Sequence, residues 1–216
     1  KDYTATMRLG VSTVTDDAEG DVTSTTDASG IDDAAILAAM TRQTGEIQQV
    51  PTAVSAIKIN GQRAYARVRA GEDVVLQPRA VTVSRFEATE TRRHDEVIDV
   101  DVEVTCSSGT YVRALARDVG ADLGVGGHLT ALRRTRIGPF DLTAACPDIF
   151  ADDAGAPAPM TMAEAARLSF PVVEVTDDQE AAIRVGRRVD MIVPADVTAM
   201  IAGTGEMLAL YRPDGE

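Results

Sequence analysis

Two segments of the chain alternate polar and apolar residues. Residues 4–9 form the first and residues 97–106 the second, in which Ile98, Val100, Val102 and Val104 alternate with Asp99, Asp101 and Glu103. Side chains of a β-strand point to its two faces in turn, so this period of two predicts strands with one buried face. The second strand would have an acidic outer face, which would repel RNA phosphate and direct any RNA to another surface.

Other segments favour helices. Residues 32–44 begin with an aspartate and stop at Gly45, and the arginine-rich residues 62–70 stop at Gly71. Each is predicted to be a helix.

A further helix is expected to begin at Thr110, as its cap, and to run to about Leu123. Four of its apolar side chains would face the core: Val112, Leu115, Ala116 and Val119. Arg113 and Arg117 are four residues apart, so they would share one stripe that is exposed or lines a cleft.

The composition changes after Phe140. Residues 152–159 are rich in Asp, Ala and Pro, as in a flexible connection, and Thr161 and Glu164 have the spacing of a capping box. Strands are predicted at residues 171–175, 197–202 and 207–211, with a helix at residues 177–185. The expected organisation is an α+β domain at 1–148, a linker at 149–160 and a small α/β domain at 161–216.

The length of the chain limits how many domains it can form, and its charge distribution limits the kind of partner it can bind. A chain of 216 residues with 44% hydrophobic content can build one well-packed domain and a small second one. The net charge of −13 divides into −6 for residues 1–50, +2 for residues 51–140 and −9 for residues 141–216. The middle third holds two groups of cations: Lys58, Arg63, Arg67 and Arg69, then Arg113, Arg117, Arg133, Arg134 and Arg136. They predict a local basic surface, or else solvated helix faces.

Several classes of protein are disfavoured. The two cysteines, Cys106 and Cys146, and the two histidines, His94 and His128, lack metal-ligand spacing, so neither a metal site nor a disulfide is expected. No apolar run approaches the roughly 20 residues of a membrane helix. The chain is expected to be soluble and cytoplasmic, without a membrane partner.

The most informative motif is CSSGTYVR at residues 106–113, because it places Tyr111 and Arg113 two residues apart where a strand gives way to a helix. An aromatic ring can stack a nucleobase, and a guanidinium can bind a carboxylate or phosphate through two hydrogen bonds. Other motifs flank it in order: KDY at 1–3, LG at 9–10, TVTDD at 13–17, PTAVSAIK at 51–58, GQRAY at 61–65 and LRRTRIG at 132–138. Over residues 1–140 the chain resembles the TruB family of bacterial tRNA pseudouridine synthases.

The resemblance implies an isomerase that converts uridine 55, in the T loop of tRNA, into pseudouridine. It implies the pseudouridine synthase fold, a mainly antiparallel sheet with flanking helices, followed by a PUA-like accessory domain, and it suggests a monomer. The partner would be the T stem-loop of tRNA. The reaction changes no redox state and transfers no phosphoryl group, so no metal, nucleotide or redox cofactor is expected. The family's nucleophilic aspartate lies upstream of the KDY motif, so it would precede Lys1.

The resemblance also assigns roles to residues. Tyr3 would stack on the flipped base and assist removal of the C5 proton, and Arg113 would pair with the upstream aspartate. Tyr111 and Leu132 would form pocket walls, Lys58 would support the site or a nearby phosphate, and Arg69, Arg133 and Arg134 would contact substrate. At residue 68 the family usually has alanine and this chain has valine. This departure leaves open which of Arg67 and Arg69 faces RNA.

Each of these roles has a plain alternative. Tyr3 could be a surface strand residue, Arg113 could form an ordinary exposed salt bridge, and Leu132 could belong to the core. Asp118 is the obvious acid within the chain, but it suits a partner for Arg117 or Arg133 better than a nucleophile.

Two other functions remain open. One is a non-catalytic tRNA-binding or tRNA-folding protein on the same scaffold, and the other is an acidic domain with no RNA role. An upstream Gly-x-x-Asp motif in the natural gene would favour the enzyme.

Overall fold

The structure is a computed structural model that describes residues 1–52, 58–59, 62–63, 76–144 and 158–212. The chain divides into two compact units, Lys1–Ile137 and Gly138–Glu216.

The first unit contains nine strands and two helices among its described residues. The strands are β1 (Asp2–Leu9), β2 (Val11–Thr13), β3 (Val22–Thr25), β4 (Gly45–Gln49), β5 (Lys58–Ile59), β6 (Gln62–Arg63), β7 (Arg79–His94), β8 (Val97–Cys106) and β9 (Gly127–Ile137). The helices are α1 (Asp33–Arg42) and α2 (Val112–Asp122).

Five strands of this unit lie side by side in the order β9-β1-β8-β7-β4, each antiparallel to its neighbour. The apolar side chains of β1 and β8 point to one face, where they form a single buried cluster with side chains of α1 and α2. Met7, Ile98 and Val100 are fully buried there. The two helices therefore cover the apolar face, and the opposite face of the sheet carries polar side chains. The predicted strands at residues 4–9 and 97–106 are confirmed.

Two local predictions need correction. Tyr111, not Thr110, is the N-terminal cap residue of α2, and its side chain makes no capping hydrogen bond. The Thr110 hydroxyl lies 3.3 Å from the Ser107 hydroxyl instead. The helix predicted at residues 62–70 is wrong at its start, because Gln62–Arg63 pairs as a strand with Lys58–Ile59. Residues 64–70 lie outside the described part of the chain.

The acidic face of β8 is present, but its charges are neutralised by arginines from neighbouring strands. Arg8 binds Asp99 through two hydrogen bonds of 2.7 Å. Arg92 binds Asp101, and Arg85 lies 2.7 Å from Glu103. Hydrogen bonds from Arg92 lower the pKa of Asp101 to about 2. The expected repulsion of RNA by this face therefore loses its basis, because the carboxylates are paired.

The second unit is smaller. Its described elements are β10 (Phe140–Asp141), a 3-10 turn (Leu142–Ala144), α3 (Met162–Ser169), β11 (Val172–Glu174), α4 (Asp177–Arg184), β12 (Thr198–Ile201) and β13 (Met207–Tyr211). The capping box of Thr161 and Glu164 is confirmed at the start of α3. Strand β12 lies between β11, which is parallel to it, and β13, which is antiparallel. The α+β class is confirmed, while the domain boundaries and the PUA-like character remain predictions.

Candidate active site

A tight turn between β2 and β3 carries two adjacent aspartates. The Val14 N–H donates to the Asp21 carbonyl at 3.0 Å, and the Thr13 hydroxyl donates to the Asp17 carbonyl at 2.8 Å. A Cβ atom at Gly20 would lie 2.3 Å from the Thr15 hydroxyl oxygen, so this position requires glycine. The turn holds Asp17 in a defined place.

Arg113, in the first turn of α2, reaches this turn. Its Nη1 donates to Asp17 Oδ2 at 2.6 Å and to the Thr15 carbonyl at 3.1 Å. Only 26% of the Arg113 side chain and 22% of the Asp17 side chain are exposed. The contact is therefore a partly buried, charge-assisted pair, unlike an ordinary exposed salt bridge.

The environment of Asp17 favours its ionised form. Partial burial opposes ionisation, but hydrogen bonds from Thr15 and Arg113 outweigh it, so the pKa of Asp17 is lowered. Asp17 Oδ1 accepts from the Thr15 hydroxyl and from the Glu19 N–H, while Oδ2 accepts from Arg113. A carboxylate with both oxygens engaged in this way is a weak nucleophile and a weak base.

Arg113 and Asp17 line an open cavity of about 240 Å³. Leu129, Thr130, Ala131 and Leu132, all on β9, form its other wall together with Ala18 and Glu19 of the turn. Leu132 is 47% exposed, so the alternative that it belongs to the core is wrong. The cavity thus combines a fixed ion pair with an exposed apolar side chain, which suits a planar base that has one polar edge.

The register of β1 with β9 decides which predicted residues share this side of the sheet. Tyr3 pairs with Arg134 and Ala5 pairs with Leu132, whereas Thr4 pairs with Arg133. Residues paired across a ladder lie on the same face, and successive residues alternate. Tyr3, Leu132 and Arg134 are therefore on one face, and Arg133 is on the other.

Tyr3 is half-buried and packs against the apolar core, so it is not a freely exposed strand residue. The side chain of Arg134 is exposed and makes no hydrogen bond or ion pair with any residue that the structure describes.

Tyr111 is positioned through its backbone. The buried Gln49 side chain, at the end of β4, accepts from the Tyr111 N–H at 2.8 Å and donates to the Tyr111 carbonyl at 3.1 Å. Gln49 therefore ties β4 to the residue that begins α2, two positions before Arg113.

Two predicted site residues are not placed. Lys58 lies in β5, but its side chain is outside the described part of the structure. Arg69 lies entirely outside it.

Sequence reasoning assigned no role to three residues that organise the site, namely Asp16, Asp17 and Gln49. A signal existed for the first two, because an aspartate pair stands in the TVTDD motif and two arginines stand four apart in the predicted helix. Asp118 pairs with Arg117 at 2.8 Å, which confirms one of the two partners expected for it.

Within residues 1–52, 76–143 and 158–212, no group of three or more His, Cys, Asp or Glu side chains is arranged to hold a metal ion. None of the helices that the structure describes is long and apolar enough to cross a membrane.

The fold has relatives among solved structures. A chain of a Cbf5-Nop10-Gar1 complex aligns with 98% of this chain at a TM-score of 0.58 and 25% identity. A chain of an H/ACA RNP bound to a substrate RNA containing 2'-deoxyuridine aligns over the same share at a TM-score of 0.58 and 23% identity. The present chain spans 59% and 58% of those chains. The chain therefore shares its fold with the chains of these two structures.

Sequence comparisons are more specific. Residues 1–112 match the model of the TruB family pseudouridylate synthase N-terminal domain, and residues 113–148 match the tRNA pseudouridylate synthase B C-terminal domain. The tRNA pseudouridine synthase B of Cutibacterium acnes is 83% identical over all 216 residues, which are 73% of its length. That of an Arthrobacter species is 51% identical over 218 aligned residues, with 70% of its length covered. The chain belongs to the TruB family of pseudouridylate synthases.

Proposed function

We propose that this chain forms the larger part of a tRNA pseudouridine synthase that isomerises uridine 55 in the T stem-loop. The partly buried Arg113–Asp17 pair, beside the exposed Leu132 in one cavity, carries this proposal together with family membership. The enzyme acts as a monomer in the bacterial cytoplasm.

The reaction breaks the bond between N1 of uracil and C1' of ribose. The base then turns and forms a bond from C5 to C1', while the proton of C5 is lost and N1 gains one. Atoms and electrons balance without a redox partner. The base first leaves its stack, at a cost of a few kcal/mol that contacts in the enzyme pocket offset. Leu132 and Tyr3 supply apolar contact to the flipped base on the face that the register defines.

The nucleophile of this reaction is an aspartate that lies outside these 216 residues. A guanidinium carries five N–H donors, so Arg113 can orient a second carboxylate while it holds Asp17. An ionised aspartate held by a cation is suited to attack, because the cation keeps it deprotonated at neutral pH. Asp17 fixes the guanidinium from the opposite side. Tyr111, anchored by Gln49, and the cations Lys58, Arg69 and Arg134 complete the substrate contacts.

The proposal is tested by tritium release from tRNA labelled at C5 of uridine, with the natural gene product and with the 216-residue chain. Release should depend on Arg113, and Arg113→Lys should lower the rate on the order of a hundredfold, because an ammonium cannot bind two carboxylates through a fixed fork. Binding of tRNA should persist. Arg42→Lys is the matched control, since Arg42 pairs with Asp122 at the far end of α2.

One alternative function uses the same scaffold, namely a tRNA-binding protein without catalysis. If the gene product carries no upstream aspartate and binds tRNA without tritium release, this alternative replaces the enzyme. Intact mass of the purified protein decides at once whether residues precede Lys1.

A further inference from the structure

Behind the Arg113–Asp17 pair lies a second arginine contact of the same kind. Arg117 stands one helical turn after Arg113 on α2, and Asp16 stands one residue before Asp17 on the turn. Arg117 Nη1 lies 3.3 Å from Asp16 Oδ2. Two adjacent aspartates of one turn are therefore bound by two successive turns of one helix.

Arg117 joins three separate segments. Besides Asp16, it donates through Nε to Asp118 Oδ1 at 2.8 Å and through Nη2 to the Val50 carbonyl at 2.7 Å. Val50 follows β4 and directly precedes the PTAVSAIK motif that contains Lys58. A single guanidinium thus connects α2, the turn with the aspartates, and the entry to the Lys58 segment. Only a planar group with several donors can make these contacts together.

The backbone of Asp16 shows why such a connection is needed. Its φ of +58° lies in the left-handed region, which non-glycine residues rarely adopt, although aspartate tolerates it better than most. Such conformations persist where the surroundings fix them on several sides. The Asp16 carbonyl accepts from the Leu129 N–H at 3.0 Å, and its side chain, 11% exposed, faces Arg117. The contact with Arg117 therefore helps to hold the peptide that leads directly into Asp17.

We propose that Arg117 is a positioning residue of this site, which acts through Asp16 to fix Asp17 and thereby Arg113. The expected effect of Arg117 on the reaction rate rests on the proposed function. Its expected effect on the position of Asp17 does not. Arg117 does not touch the cavity that Arg113 and Leu132 line. Its effect is to keep the Asp17 carboxylate within reach of Arg113.

The first test does not require catalysis and uses the 216-residue chain. The pKa of Asp17 is measured by carboxyl 13C NMR in the wild type and in Asp16→Gly, which accepts the positive φ and removes only the side chain. Loss of a neighbouring negative charge alone would lower the pKa of Asp17. Loss of positioning would weaken the contact between Arg113 and Asp17 and would therefore raise the pKa of Asp17. We expect this pKa to rise in Asp16→Gly, and a fall would overturn the proposal.

The second test measures single-turnover tritium release by the natural gene product at saturating tRNA. Arg117→Met and Asp16→Gly should each lower the rate on the order of tenfold, with the Kd for tRNA unchanged within about twofold. The double variant should lose no more than Arg117→Met alone, because both changes break one connection. Arg117→Lys should recover part of the rate. Arg42→Met removes the ion pair between Arg42 of α1 and Asp122 of α2, and it should retain the wild-type rate.

The outcomes separate the two proposals. A wild type that releases no tritium would refute the proposed function, whereas the NMR result would still decide the positioning role. A wild-type rate in both Arg117→Met and Asp16→Gly would refute the positioning role. Loss of only thermal stability and tRNA affinity in both variants would refute it as well, because Arg117 would then be merely structural.

Discussion

At the scale of single residues, the site depends on how many hydrogen bonds each charged group makes. Asp17 is the carboxylate that meets Arg113 among the described residues, and both of its oxygens are engaged. The arrangement stabilises negative charge on Asp17 and lowers its reactivity as a nucleophile. The described hydrogen bond that the Asp17 side chain makes outside its own turn is the one from Arg113.

Asp17→Asn should lower the rate of tritium release by the natural gene product on the order of tenfold without abolishing it. The amide keeps one acceptor for Arg113 but loses the charge that makes the contact strong. Single-turnover kinetics at saturating tRNA measure the change, and Glu46→Gln is the control, because Glu46 is an exposed carboxylate of β4 that does not line the cavity. Complete loss of release with normal tRNA binding would instead make Asp17 the nucleophile.

At the scale of elements, the distance between α2 and β9 determines whether Arg113 and Leu132 face one cavity. This distance is set by Gly120. A Cβ atom at Gly120 would lie 2.2 Å from the Gly126 carbonyl carbon and 2.3 Å from the Gly127 nitrogen. The helix therefore approaches the backbone more closely than any side chain allows.

Gly120→Ala should destabilise the first unit by about 1–3 kcal/mol, because either the helix or the 126–127 segment must move. The displacement should also lower activity, since α2 carries Arg113. Urea unfolding measures the loss of stability. Ala121→Ser, at the exposed neighbouring position of the same helix, should cost about 0.5 kcal/mol or less. Equal losses in both variants would show that the close approach is not limiting.

The ionised carboxylates on the polar face of β8 make the stability of the fold depend on pH. Hydrogen bonds from Arg92, and then from Thr6, lower the pKa of Asp101 to about 2 in the folded chain. An unfolded aspartate titrates near 3.9, so ionised Asp101 stabilises the fold above about pH 4, and this contribution is lost as the pH falls toward 2.

Asp101→Asn should therefore lower the melting temperature at pH 6, and the difference from wild type should shrink as the pH falls from 4 to 2. Thermal unfolding followed by circular dichroism at a series of pH values measures this. Glu46→Gln, which removes an exposed carboxylate of β4 that forms no ion pair within the described structure, should retain the wild-type profile. A constant difference between Asp101→Asn and wild type would mean that ionised Asp101 does not stabilise the fold.

These elements show what sequence can predict. The strands β1 and β8 are predictable because alternation of side chains reports burial directly. The contact of Arg113 with Asp17 joins residues 96 positions apart, and neither local pattern contains that information. Arg133 and Arg134 fall into one cluster by sequence because they are adjacent, but β9 places them on opposite faces. Residues 127–137 lack regular alternation, so no local pattern predicts this strand.

At the scale of the molecule, an acidic protein must present its cations selectively to bind RNA. The first unit pairs most of its described arginine side chains with carboxylates: Arg8, Arg42, Arg85, Arg92, Arg93, Arg113, Arg117 and Arg136. Arg79, Arg133 and Arg134 form no such pair in the same part of the chain. Of the two on β9, Arg134 lies on the face that carries Tyr3 and Leu132. The RNA backbone should therefore approach the molecule on that face.

Arg134→Ala and Arg133→Ala test this directly, because the two side chains are adjacent in sequence, exposed, and directed to opposite faces of one strand. Each phosphate contact adds roughly one unit to the slope of log Kd against log salt for a duplex, and somewhat less for a single strand. Arg134→Ala should weaken tRNA binding and reduce that slope by about one unit or less. Arg133→Ala should leave both close to wild type.

The affinity for tRNA and its dependence on salt are both measured by filter binding from about 50 to 200 mM salt. Phosphate contacts change affinity strongly over this range. Equal losses would mean that RNA wraps around both faces of β9, and a loss in Arg133→Ala alone would place the RNA on the face of the paired arginines. A deficit confined to Arg134→Ala identifies the Tyr3 face as the RNA-binding face. The net charge of −13 is then no obstacle to binding, because the side chain of Arg134 presents a cation that is unpaired within the described structure on that face.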